Sequence, residues 1–167
     1  MAEKEKLLEL KNVVYSFHTY GGEVKAVRDV SFEVRKGEIL GIVGESGCGK
    51  SVTAQCIMRL NPEPPGFFEG GEILFNGKDV LKMDKKELRQ LRGGDIGFVF
   101  QDPMTSLNPT MRVGAQIEEV FIGRAGVSKK EVKEKALEIM KLVGISDVEK
   151  RYRQYPHELS GGMKQRV

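Results

Sequence analysis

The sequence predicts an α/β fold, with β-strands concentrated in residues 1–100 and helices in the remainder of the chain. Three observations support this prediction. Apolar residues alternate with polar ones at Val30, Phe32 and Val34, as in a strand with one exposed face. The run EILGIVG (38–44) is almost purely apolar, which is typical of a parallel strand buried on both faces. Beyond residue 101 the apolar positions recur with helical spacing.

The composition is that of a folded protein without a strongly charged partner. Lys and Arg number 27 and Asp and Glu number 24, so the formal charge is only +3, which argues against nucleic acid as a partner. The two cysteines, Cys48 and Cys56, cannot build a disulfide framework and match no zinc spacing, which favours a reduced, cytosolic setting. No apolar run approaches the ~18 residues of a membrane-spanning helix, and no signal peptide is evident.

Residues 1–100 divide into strands, a helix and a hairpin. LLELKNVV (7–14) predicts a first strand, and a turn at Lys36-Gly37 separates the second strand from the buried run 38–44. SVTAQCIMRL (51–60) predicts a helix that must end before Pro62, and a loop is expected over 61–70. Asn76-Gly77 between apolar runs is the strongest short signal for a hairpin.

The next elements are read from capping signals. Asp84 with Glu87 predicts a capping box and a short helix that Gly93-Gly94 closes. DIGFVF (95–100) then predicts a second buried strand.

The remaining segments are predicted to be helical. GAQIEEVFIG (114–123) predicts one helix, and Ser128 with Glu131 caps another that Gly144 ends. The second helix has apolar positions at helical spacing, namely Val132, Ala136, Ile139, Met140 and Val143. A last helix should begin near Ser160. We therefore expect a β-rich core at 1–100, a helical subdomain at 101–160, and the start of a further helix at 160–167.

The Gly-rich loop GESGCGKS (44–51) carries the clearest chemistry, because it fits G-x-x-x-x-G-K-[ST] between a predicted strand and a predicted helix. Glycines let backbone N–H groups converge on phosphate oxygens at a helix N-terminus, Lys50 neutralises the β/γ-phosphate charge, and Ser51 can ligate Mg²⁺. The thiol at position 48 is expected to act only as a small spacer. The predicted phosphate-binding residues are Gly44, Glu45, Ser46, Gly47, Cys48, Gly49, Lys50, Ser51 and Val52.

LSGGMKQRV (159–167) supplies a second anion-binding signal. Ser160 can cap the last helix, and Gly161 and Gly162 expose N–H groups at its start. Alone, this pattern is weak and is better explained as an ordinary helix cap. Its occurrence together with the loop at 44–51 gives it functional weight.

The order of GESGCGKS, FVFQDPMTSLNP and YPHELSGGMKQRV resembles the ATP-binding subunits of ABC transporters, and the resemblance covers essentially the whole chain. More narrowly, the chain is similar to the dipeptide and oligopeptide (Dpp/Opp) importer branch, and QDPMTSLNP resembles its D-type subunit. The resemblance implies an ABC-type P-loop NTPase core with an N-terminal antiparallel β subdomain and a helical signature subdomain. It also implies an ATPase that uses ATP and Mg²⁺ to energise peptide import.

The resemblance also assigns individual roles. It implies that Gln101 is the Q-loop glutamine, which reaches Mg²⁺ and the attacking water, and that Gln101 and Lys50 are catalytic. It implies that Phe17 stacks on adenine, with Tyr15 and Tyr20 as rival candidates. The two histidines, His18 and His157, are expected to lie at the surface or in loops.

The resemblance further implies partners at the cytoplasmic face of the cell membrane. These are two membrane-spanning permease subunits, an F-type ATP-binding sibling in a head-to-tail dimer, and, indirectly, an extracytoplasmic solute-binding protein. Each ATP would lie between residues 44–51 of one subunit and residues 160–162 of the other. The region 102–112 would contact a short helix of the membrane subunit.

The family places its Walker B aspartate and catalytic glutamate after the signature helix, whereas this sequence ends at Val167. The C-terminal part of the core is therefore expected to be missing, and the fragment is expected to bind ATP with negligible turnover. Two alternatives stay open at this point: a soluble ABC-type ATPase of DNA repair or translation, and a non-catalytic nucleotide-binding fragment. The transported solute also stays open among peptides, nickel and oligosaccharides.

Overall fold

A computed structural model describes residues 5–101, 106–122 and 128–167. The chain divides into two compact units, Met1–Gly97 and Phe98–Val167. The first unit contains a β-sheet and the second is helical, as the sequence predicts. None of the described helices combines the length and the hydrophobicity of a membrane-spanning segment.

The first unit is built on a four-stranded antiparallel sheet with the order β2-β1-β3-β4. Its strands are β1 (Lys6–Thr19), β2 (Gly22–Arg35), β3 (Gly66–Phe75) and β4 (Lys78–Asp79). β1 is central and pairs with both long neighbours. The N-terminal antiparallel β subdomain is therefore present.

Helix α1 (Lys50–Ile57) covers the sheet through a common hydrophobic core. Cys56 of α1 is fully buried in the same cluster as Tyr15 of β1 and Ile73 of β3. The sheet register places Tyr15 opposite Val27 of β2. The prediction of a helix over 51–60 is thus confirmed, although the helix ends at Ile57, three residues earlier than predicted.

Local turn and cap signals of the first unit are mostly confirmed. β3 and β4 form the predicted hairpin, with positive φ at both Asn76 and Gly77. The capping box of Asp84 and Glu87 begins α2 (Lys85–Gln90). The glycine pair does not close this helix, because a π-helical turn (Leu91–Asp95) continues it and buries Leu91 in the core. A 3-10 turn (Val80–Lys82) precedes α2.

In the second unit, the described residues form four α-helices around a core of their own. They are α3 (Val113–Glu119), α4 (Lys129–Leu142), α5 (Val148–Tyr152) and α6 (Gly161–Arg166), with a 3-10 turn (Pro156–Glu158) before α6. The predicted capping box of Ser128 and Glu131 is confirmed at the start of α4. The core contains Val113, Met140, Ile145, Val148 and Leu159.

The prediction of two buried strands is wrong, because neither segment is a strand in the structure. Residues 38–44 and 95–100 form no strand, and Ile39, Val43 and Val99 are 98%, 93% and 95% exposed. A parallel strand needs neighbours to pair its backbone groups. The described residues provide no strand that pairs with either segment. The predicted loop over 61–70 is also too long, because β3 already begins at Gly66, where it pairs with Phe17.

Candidate functional site

The Gly-rich loop leads directly into α1, as the sequence predicts. Gly47 and Gly49 have φ values of +82° and +92°, which side-chain-bearing residues rarely adopt. Gly44 lies close to the thiol at position 48, because a Cβ on Gly44 would approach Cys48 Sγ to 2.8 Å. The loop therefore folds back on itself at an exposed surface.

The end of the loop is packed tightly on the sheet. A Cβ on Gly49 would lie 2.2 Å from the carbonyl oxygen of Ala26 in β2. Only glycine permits this approach at the N-cap of α1. Ala26 is not recognisable from the sequence, since a small residue in a strand carries no local signal of the element that packs on it.

The Lys50 side chain returns to the loop that precedes it. Its Nζ donates hydrogen bonds to the carbonyl oxygens of Gly44 and Glu45, at 2.7 and 2.6 Å, and lies 3.4 Å from Cys48 Sγ. A positive charge is therefore held within the loop. An anionic group bound at this loop would meet that charge at short range.

The N-terminus of α1 is open to an anion. Gly49 provides no side-chain cap, and the first turn carries no acidic residue. The first N–H groups of a helix have no partner within it, and the helix dipole adds positive potential at the same place. These N–H groups and the Lys50 ammonium form one positively polarised surface, which suits phosphate oxygens.

The Ser51 hydroxyl suits a metal site whose other ligands are phosphate oxygens and water better than a site whose ligands all come from the protein. Ser51 is exposed, and its hydroxyl has no hydrogen-bond partner within the part of the chain that the structure describes. The same described residues contain no group of three His, Cys, Asp or Glu side chains able to hold a metal. Mg²⁺ commonly takes few protein ligands and completes its shell with phosphate oxygens and water, and the Ser51 hydroxyl is available for that arrangement.

The three candidate aromatic residues have different environments. Tyr15 is fully buried and packs edge-on against Phe17 at 5.3 Å, so it offers no ring face to a ligand. Tyr20 is fully exposed at the tip of the β1–β2 hairpin.

Phe17 is partly buried and pairs with Val24 of β2. Two residues further along β2 is Ala26, which contacts Gly49. Phe17 therefore lies on the stretch of sheet against which the loop is packed.

The second anion signal lies at the start of α6. Ser160 Oγ accepts a hydrogen bond from the N–H of Met163 at 3.3 Å, so Ser160 is an N-cap, as predicted. Gly161 and Gly162 are exposed, and among the described residues no atom outside the adjoining backbone lies within 4 Å of a Cβ placed on either. The backbone at this helix start is accessible.

The candidate residues are divided between the two units, so that each unit contains some of them. Phe17 and residues 44–52 lie in the first unit, and Gln101 and residues 160–162 lie in the second. Gln101 is exposed in a bend. Of the predicted membrane-subunit contact, residues 102–105 lie outside the described residues. The neighbouring loop is held by Gln116, whose Nε2 donates to the carbonyl oxygens of Asn108 and Met111, both at 3.0 Å.

Comparison with known proteins gives consistent matches. A family model described as ABC transporter matches residues 27–167. The chain is 58% identical over its whole length to the oligopeptide transport ATP-binding protein OppD of Bacillus subtilis, and covers 47% of that protein. It is 52% identical to the dipeptide transport ATP-binding protein DppD of the same species, over 98% of the chain and 49% of that protein. The chain thus spans about half the length of these relatives.

Solved structures agree with the sequence matches. The ATP-binding cassette MJ0796, in a dimeric post-hydrolysis state bound to ADP and Pi, has a TM-score of 0.81 and 29% identity. The match covers 96% of this chain and 66% of that one. A cbiO1 structure from Clostridium perfringens, at 24% identity and a TM-score of 0.70, shares the fold.

Proposed function

This chain belongs to the ABC transporter family, and from that premise we propose that it is the ATP-binding part of a subunit that energises peptide import. The names of its relatives, which are oligopeptide and dipeptide transport ATP-binding proteins, support this substrate class. The observation that carries the proposal is the position of the Lys50 ammonium among the loop carbonyls in front of α1.

The triphosphate binds at the loop and the N-terminus of α1. The ammonium of Lys50 exchanges its carbonyl partners for the more strongly charged β- and γ-phosphate oxygens. The uncapped N–H groups that follow Gly49 donate to the same phosphates. Mg²⁺ bound with the nucleotide would neutralise phosphate charge, and the hydroxyl of Ser51 would hold it from this loop.

The base stacks on Phe17. Phe17 pairs with Val24 of β2, and Ala26, two residues further along β2, contacts Gly49 at the end of the phosphate-binding loop. The partly buried ring is held by Tyr15, so little side-chain entropy is lost when a base covers its free face. Tyr15 itself contributes to packing rather than to binding.

ATP hydrolysis by the whole subunit requires a second subunit. The open helix start at Ser160, Gly161 and Gly162 would pair with the γ-phosphate held on the partner's loop, and Gln101 would orient the attacking water and help to hold Mg²⁺. An F-type sibling in a head-to-tail dimer provides this partner. Two permease subunits receive the motion at the cytoplasmic face of the membrane.

Calorimetric titration of the chain with Mg·ATP tests the proposal. Saturable binding of one ATP per chain, in competition with inorganic tripolyphosphate, is the expected result. The absence of binding would contradict the proposal, and binding that tripolyphosphate does not displace would place the nucleotide elsewhere.

A further inference from the structure

The far end of α1 is held by an arginine from another element. Arg92 lies in the π-helical turn that follows α2. Its Nε donates to the carbonyl oxygen of Met58 at 2.9 Å, and its Nη2 donates to the carbonyl oxygen of Arg59. Met58 is the C-cap of α1, and Arg59 is the next residue. The guanidinium therefore spans the two carbonyls that end the helix.

The backbone at this helix end explains why two carbonyls point at one side chain. Arg59 has a φ of +49°, its N–H bonds to the Cys56 carbonyl at 3.0 Å, and the N–H of Leu60 bonds to the Gln55 carbonyl at 2.9 Å. This is the left-handed helix ending of the Schellman type. It satisfies inner carbonyls and leaves those of Met58 and Arg59 free to accept from Arg92.

Burial of the neighbouring residue in the hydrophobic core fixes the position of Arg92. The preceding residue, Leu91, is buried in the same core cluster as Cys56 of α1. Within the described residues, Arg92 forms no ion pair with a carboxylate. Its charge lies at the negative end of the α1 dipole, which stabilises this helix end.

We infer that Arg92 is a positioning residue for the nucleotide site, acting through α1. The inference rests on the proposed function, because it concerns how the phosphate-binding end of α1 is aimed. Helix α1 has eight residues and a length of about 12 Å, and it is too short to be stable alone, so its orientation depends on the contacts at its two ends. Gly49 against Ala26 fixes one end and Arg92 fixes the other, so release of the second end tilts the N–H groups that meet the phosphates.

The two-point geometry is specific to arginine. Two guanidinium nitrogens donate to two carbonyls in a fixed fork, whereas a lysine ammonium is a single point charge on a flexible stem. Arg92→Lys keeps the charge but loses the fork. Arg89→Gln is a matched control, since Arg89 is an exposed arginine on the preceding helix.

The test is the affinity of Arg92→Gln for ATP and for adenosine, measured by calorimetry and by competition, alongside its melting temperature. Tilting of α1 weakens phosphate contacts selectively, so ATP affinity should fall about fivefold while adenosine affinity changes little. Arg92→Lys should show a smaller selective loss, and Arg89→Gln should behave as wild type. If Arg92→Gln does not fold, Arg92→Lys takes its place in the comparison.

The outcomes separate the inference from the proposed function. Wild-type ATP affinity in a folded Arg92 variant would overturn the inference, as would equal losses for ATP and adenosine, which would indicate only reduced stability. If the wild-type chain binds no ATP, the proposed function fails and the inference fails with it.

Discussion

Gly49 and Ala26 are in direct backbone contact, and a Cβ on Gly49 would approach the Ala26 carbonyl oxygen to 2.2 Å. The contact joins the start of α1 to the second strand of the sheet. It fixes the Gly-rich loop (44–51) on the same stretch of sheet that carries Phe17. The glycine is therefore required both by its φ of +92° and by space.

Substitution Gly49→Ala should destabilise the chain strongly. The added methyl group must displace a strand carbonyl in addition to adopting a disfavoured φ, and we expect a loss of about 3 kcal/mol in the free energy of unfolding. Gly37→Ala is the control, because Gly37 also has a positive φ of +72° but has no atom within 4 Å of its Cβ position. Gly37→Ala should cost about 1 kcal/mol. Equal losses in denaturant titrations would show that the contact with Ala26 is not tight.

Substitution Phe17→Ala should weaken binding of the base and leave binding of the phosphates unchanged. Stacking on an aromatic ring is worth about 1 to 3 kcal/mol. ATP affinity should therefore fall while the affinity for inorganic tripolyphosphate stays the same. Tyr20→Ala, at the exposed hairpin tip, should affect neither. Loss of ATP affinity in the Tyr20 variant alone would mean that the base lies on the hairpin tip instead.

Tyr152 should make the second unit sensitive to alkaline pH. Burial, followed by its hydrogen bond to Glu118, raises the pKa of Tyr152 from 10 to about 12. The folded state thus favours the neutral phenol, so its stabilising effect is complete below pH 10 and is lost as the pH rises to about 12. Tyr152→Phe removes this titration.

Thermal unfolding between pH 9 and pH 12 tests the role of Tyr152. The melting temperature of Tyr152→Phe should be lower at pH 9, because the Glu118 contact is missing, but should fall less steeply above pH 10. Tyr20→Phe serves as the exposed control. Parallel curves for wild type and Tyr152→Phe would refute the assignment.

The proposed head-to-tail dimer predicts a specific cross-link. Cys48 is exposed in the Gly-rich loop, whereas Cys56 is buried and should not react. In the whole subunit with its F-type sibling, a short bifunctional thiol reagent should link Cys48 to a cysteine placed at the sibling's signature serine, and only with ATP bound. Cys48→Ser should abolish the product. A product that forms equally without ATP would argue against the nucleotide-dependent dimer.

Local signals in the sequence predicted local structure well. The hairpin at Asn76-Gly77 and the capping boxes begun by Asp84 and Ser128 each depend on residues within four positions of one another, and all three are present. The runs 38–44 and 95–100 failed as strand predictions because a strand depends on distant partners. The described residues contain none for these runs.

The candidate site shows the same limit, because its local motif is visible in the sequence and its long-range contacts are not. Residues 44–51 could be read from spacing alone, and the structure adds the Lys50 contacts that the motif leaves unspecified. Ala26 and Arg92 could not be identified, because each acts on α1 from more than twenty positions away along the chain. Long-range contacts of this kind leave no periodic pattern in the sequence.

The titration of Lys50→Ala with Mg·ATP tests the central claim most directly, with Lys86→Ala, an exposed lysine on α2, as the matched control. Removal of a charge-assisted contact to phosphate should weaken ATP binding by about tenfold or more. Lys86→Ala should bind as wild type does. Equal ATP affinity in wild type and Lys50→Ala, with both chains folded, would contradict the assignment of residues 44–51 as the nucleotide site.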